Sequence, residues 1–223
     1  MIRSSFLAAG AMSAAGLAVS GREAAAATPS PTPLWGAVPF SFDRAAFEAE
    51  LGKPYRHRQL FGSTKLGGAA VLHYMENTLR AYAEGFGEGP GTLHVAAVLY
   101  GSSLALVAQD AMWPKYDITG VLHAEHEETP DASAVTKNPY ASRVAALVAQ
   151  GASFFVCNNA LSGASYQLAK LAAHGEPTRE QVVAVHDDLL AHLVPGAMVV
   201  PAGVAAINAG QEARFTYLQA TIG

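Results

Sequence analysis

The feature that most narrows the fold is a set of short, almost unbroken apolar runs, each of strand length, set apart by helical stretches. Leu93–Leu99 (LHVAAVL), 152–157 (ASFFVC) and 197–200 (AMVV) lack the polar alternation of a sheet with one wet face. A strand that is apolar on both sides must be covered on both sides, and parallel sheets with crossover helices do this. Between the runs, apolar residues at 71, 72, 75, 79 and 82 recur near a helical period, predicting a helix within 66–86. Similar readings predict helices over 43–51, 104–112, 140–150, 158–173, 178–192 and 202–210, with further strands at 56–61 and 213–218. Thr178 followed three residues later by Gln181 is the signature of a capped helix start. Strands alternating with helices predict the α/β class.

The chain has 223 residues, which suits one domain with extensions and a substantial core. Only 14% of residues are charged and the net charge is −4, so the sequence carries no electrostatic footprint for nucleic acid or anionic lipid. A single cysteine, Cys157, excludes a disulfide within the chain. It is either a core filler or a reactive thiol.

Residues 1–27 have the order of a signal peptide: Arg3 near the start, an apolar Ala/Gly-rich stretch over 6–19, and four alanines at 24–27 where a peptidase needs narrow side chains. The apolar stretch is too short and too weakly hydrophobic for a membrane span, so none is expected after processing. Export to the periplasm is the expectation. The Gly/Ala-rich core is similar to twin-arginine signals, yet the arginine pair is missing, which leaves the Sec and Tat routes both open. Residues 28–53 then form a leader, beginning TPSPTP, and a short helix, with the main domain at 54–223 and a polar surface excursion over 113–138 inserted in it.

Several residue groups could carry chemistry. The glycine cluster at 85–91 (GFGEGPG) superficially matches a dinucleotide loop, but it closes a predicted helix and introduces a strand, the reverse of what phosphate binding needs, so no cofactor is expected there. Ser102, Ser103 and His94 lack the nucleophile-elbow context, and His94 starts its strand while the serines follow its end. In the 113–138 excursion, His123 and His126 are three apart and would share one face of a helix within reach of one metal ion. Gln211, Glu212, Arg214 and Tyr217 form a polar group read as a solvated edge or subunit contact. Cys157 ends a buried strand and opens a helix, where first-turn amides and the helix dipole favour a thiolate. Asn158 and Asn159 either donate to a charged sulfur or cap the helix.

The run from Val95 to Gly101, the strand Gly151 to Cys157, and Leu193 to Val200 with Gly203 and a closing aromatic strand together resemble the DsrE/DsrF-like family across about residues 54–219. The resemblance implies a three-layer α/β/α sandwich with a mainly parallel five-stranded sheet, assembled as a homo-trimer or hexamer. It further implies sulfane-sulfur chemistry with Cys157 as the persulfide-bearing thiol, Asn158 or the helix amides stabilising its charge, and small sulfur species or a partner thiol protein as the exchange partner. The alternative expectation is a non-catalytic oligomeric module that binds a small ligand or, through His123 and His126, a metal.

Overall fold

The computed structural model describes residues 36–127 and 135–220. The 1–27 signal reading and the TPSPTP stretch lie outside the described residues.

Five parallel strands form one sheet in the order β4-β3-β2-β1-β5: β1 His57–Ser63, β2 Leu93–Leu99, β3 Ser153–Cys157, β4 Ala197–Val200 and β5 Thr216–Gln219. Among the described residues eight α-helices accompany them: α1 Arg44–Leu51, α2 Ala70–Glu84, α3 Met112–Lys115, α4 Ile118–Ala124, α5 Ala141–Ala149, α6 Asn158–Ala173, α7 Arg179–Ala191 and α8 Gly203–Glu212. Short 3₁₀ turns of chain occupy Gly67–Ala69 and Gly101–Val107.

The two-residue period of each strand sorts its apolar side chains into two cores. Leu60, Ala96, Val98 and Phe155 pack beneath Phe47 and Leu51 of α1 and Ala206 of α8. Their sequence neighbours Phe61, Val95, Ala97, Phe154 and Val156 pack beneath α2 and α5, through Leu72, Met75, Val144 and Leu147, and the core extends to Leu161 and Leu168 of α6. Phe154 and Phe155 thus serve opposite layers, each about 1% exposed or less and each contributing about 1.5–3 kcal/mol of apolar burial. Helices on both faces of an all-parallel sheet make the chain a three-layer α/β/α protein, as the unbroken apolar runs require.

Three expectations need correction. The helix predicted over 104–112 is instead a 3₁₀ segment ending at Val107, after which Ala108 turns extended and bridges Leu193. The reason is Asn138, whose Nδ2 donates to the carbonyls of Leu106 (2.9 Å) and Ala108 (2.8 Å), taking over acceptors that an α-helix would have used. The 113–138 excursion is also not wholly irregular: α3 and α4 fold back and bury Trp113, Ile118 and Leu122, with the Asp117 side chain accepting from the Gly120 amide at 3.2 Å to cap α4. Polar neighbours masked that helical spacing. The last strand begins at Thr216, three residues later than 213, because α8 runs on to Glu212 and Arg214 turns the chain with φ near 68°.

Candidate functional site

The carboxyl ends of β3 and β4 lie side by side, with Cys157 paired to Val200. From Cys157 the chain enters α6 on the α2/α5 side, whereas from Val200 it enters α8 on the opposite side. Neighbouring strands whose connections leave to opposite faces open a crevice at their carboxyl ends, which is where open parallel sheets build sites. Cys157 stands in that crevice. It is itself the residue that caps α6, and neither α6 nor α8 has a side-chain cap at its start among the described residues. The first-turn amides of α6 follow directly on the residue that carries the thiol, and the first residue of α8 packs against that residue's Cβ.

The approach is close because Gly203, the first residue of α8, has no side chain. A Cβ there would stand 3.0 Å from Tyr100 Cδ1, 3.2 Å from Val98 Cγ1 and 3.3 Å from Cys157 Cβ. The same contacts leave Cys157 only 6% exposed. A reactant must therefore be small or must arrive as the α8 start shifts.

Asn158 is fully engaged in positioning this corner. Its Nδ2 donates to the Val38 carbonyl (2.8 Å), its Oδ1 bonds His186 Nε2 (2.8 Å), and its own carbonyl accepts from Ser162 Oγ (2.8 Å). Ser162 Oγ in turn accepts from the Val38 amide at 2.9 Å, and Arg179 donates to the Gly36 carbonyl at 2.7 Å. The segment 36–38 is thus strapped to α6 and α7. Burial lowers the pKa of His186, with Asp187 opposing that shift, and its Nε2–H donates to Asn158 Oδ1. Both polar atoms of the Asn158 side chain bond within this strap.

His123 closes α4, and His126 follows it with φ near 58°; both are exposed. Among the described residues no group of three or more His, Cys, Asp or Glu side chains is placed to hold a metal ion. Among the described residues, His123 and His126 have no third ligand beside them.

Ser102 and His94 do not meet. Ser102 Oγ donates to Glu127 Oε1 (2.5 Å) and accepts from the Leu66 amide (3.0 Å), while Glu127 Oε2 accepts from the Gly67 amide at 2.9 Å. This clasp ties the end of the excursion to the loops after β1 and β2. His94 lies at the other end of the sheet, fully buried, with Nε2 at 2.7 Å from Ser153 Oγ, which donates to Glu50 Oε1 at 2.6 Å. Its ring stacks on Tyr55 and meets Phe215 edge-on. Glu50 contacts the serine rather than His94 Nδ1, which has no partner among the described residues, so the three do not form a charge-relay chain. Burial, opposed by Glu50, pushes the His94 imidazole down to about 4.

Sequence reading alone placed Cys157 but missed the clasp and the Glu50–Ser153–His94 cluster, whose members are 103 and 59 residues apart along the chain. The legible signal was Cys157 itself, at the end of one apolar run and the start of a helix.

The fold defines a class, the three-layer α/β/α proteins with a five-stranded parallel sheet. No protein-family model matches the chain, and no curated protein matches it. Among solved structures, the chain is similar to a protein of unknown function, MTH1491 from Methanobacterium thermoautotrophicum, at 17% identity and a TM-score of 0.42, covering 73% of this chain and 98% of that one.

Proposed function

We propose that the chain is an exported, DsrE-like sulfur-handling protein that carries sulfane sulfur on Cys157. The observation that carries this reading is the place of the only thiol, at the carboxyl end of β3 and directly before the first-turn amides of α6, with the first residue of α8 packed against its Cβ. In the proposed step the Cys157 thiolate attacks the outer sulfur of a polysulfide or of thiosulfate. A new S–S bond forms to Cys157, the donor's S–S bond breaks, and its electron pair leaves on the shortened polysulfide or on sulfite. The persulfide so formed keeps the negative charge on its outer sulfur, beside the same amides. Transfer onward is the mirror reaction: an acceptor thiolate attacks the outer sulfur and Cys157 leaves as thiolate. Small sulfur species and a partner thiol protein are the proposed donor and acceptor, in a periplasmic homo-trimer or hexamer. Asn158 acts as a positioning residue that fixes the start of α6, and no metal is needed for any step.

Cyanolysis tests the reading. Protein loaded with polysulfide, desalted and treated with cyanide should release about one thiocyanate per chain, and Cys157→Ser, shown folded by its melting curve, should release none. Equal release from both proteins, or none from the wild type, would overturn the assignment.

A further inference from the structure

On the sheet face opposite α8, a cavity of about 650 Å³ lies between α6, α4 and the 3₁₀ segment Gly101–Val107. Its size falls within the range of small-molecule pockets, and its walls include Leu104, Leu122, Leu161 and Leu189. Gly163 lies on α6 at the cavity wall, in the middle of a helix where glycine is unfavourable by about 1 kcal/mol relative to alanine. Packing does not demand it: a Cβ at Gly163 would meet no atom within 4 Å. This contrasts with Gly203 and Gly210, whose missing side chains admit close neighbours. The missing side chain at 163 keeps space open rather than letting two elements touch.

The polar groups at this cavity select by charge. Glu125 borders it with an exposed carboxylate, and Glu127, held by Ser102 of the same wall, is its near neighbour in the chain. An anionic ligand head would stand beside two acidic side chains. Lys170, which also borders the cavity, is paired with Glu176 at 2.5 Å and offers no free cation. Ser102 spends its hydroxyl hydrogen on Glu127.

We propose that this cavity is a binding site, separate from Cys157, for an uncharged, mainly hydrocarbon small molecule whose hydrogen-bond donor faces Glu125. The sulfur reading is not needed for it, because the cavity walls belong to the face away from α8.

Two dyes with the same aromatic body separate body from charge: phenylnaphthylamine, which is neutral with one N–H donor, and anilinonaphthalene sulfonate, which adds an anion. The wild-type protein should bind the neutral dye with enhanced fluorescence and a raised melting temperature, and bind the anionic dye at least about tenfold more weakly. Gly163→Leu should fill the space and weaken the neutral dye at least about tenfold while keeping the wild-type melting temperature or exceeding it. Cys157→Ser should bind as the wild type does, which keeps failure here distinguishable from failure of the sulfur reading. Preference for the anionic dye, unchanged binding by a folded Gly163→Leu, or no binding by the wild type would each overturn the proposal. So would light scattering that shows an oligomer dissociated by Gly163→Leu, since a second copy would then be the occupant.

Discussion

The two faces of the sheet each carry a cavity, about 500 Å³ beside α1 and α8 and about 650 Å³ beside α4 and α6, but they differ in how glycine is used in their helices. Where α8 meets the sheet, the helix comes so near that glycine is needed at the contacts: a Cβ on Gly210 would stand 2.7 Å from Leu60 Cδ2, and one on Gly203 would crowd Tyr100, Val98 and Cys157. Under α4 and α6 a cavity of about 650 Å³ remains, and a glycine faces open space. Each face also holds one fully buried histidine, His94 beneath the close-packed layer and His186 in α7 on the roomier side. Close packing fixes a reactive atom to within small distances, whereas a loose wall leaves room for a ligand body. One sheet can therefore hold a thiol rigidly on one side and keep a ligand space on the other.

The sharpest break of this comparison is a pair of truncations. Leu60→Ala should destabilise by about 4 kcal/mol, because the surrounding contacts cannot collapse, and Leu104→Ala, already beside open space, by about 2 kcal/mol. Equal losses in urea titrations would mean that the two faces pack alike. Next in size is Asn158→Ala, which orphans the buried His186 ring and the Val38 carbonyl and should cost about 3 kcal/mol. Amide exchange at Val38 should accelerate with it; protection that stayed unchanged would show that the strap does not depend on Asn158.

A smaller effect follows from His94. Its folded value of about 4 lies below the ordinary 6.5, so between those values the unfolded chain binds a proton that the folded chain refuses. The stability due to this group is complete above about pH 6.5 and is lost as the pH falls toward 4, roughly 2 kcal/mol of it between pH 7 and pH 5. His186 adds a share of the same sign from the other face. His94→Phe should flatten part of the urea-midpoint decline over that range, and an unaltered slope would contradict the buried, neutral state of this ring. The smallest expected change is a gain: Gly163→Ala should raise stability by about 0.5–1 kcal/mol, since alanine favours the helix and meets no neighbour. A loss would show that the space beside α6 is not open.

Much of the fold was legible because buried parallel strands leave a local trace. The apolar runs at 93–99 and 197–200 coincide with β2 and β4, and Thr178 with Gln181 forms the capping box of α7, hydroxyl to amide at 3.3 Å and side chain to amide at 2.8 Å. Elements decided by distant partners were not legible. Asn138 redirects the backbone at Leu106 from 32 residues away, and α3 and α4 depend on core positions that Trp113 and Leu122 reach only once the sheet exists. The site divides the same way. The place of Cys157 at a strand end is local, whereas the role of Asn158 was set by Val38 and His186, 120 and 28 residues off, and spacing could not choose between capping and charge stabilisation.

The central claim, that Cys157 is a sulfur-carrying thiol and not a core filler, is tested most directly by intact-mass spectrometry of the purified protein before and after exposure to polysulfide. The account predicts a gain of about 32 Da, one sulfur atom, on the wild type and none on Cys157→Ser, with the gain reversed by a small thiol. A wild-type mass that does not change, or an adduct that persists in Cys157→Ser, would contradict it.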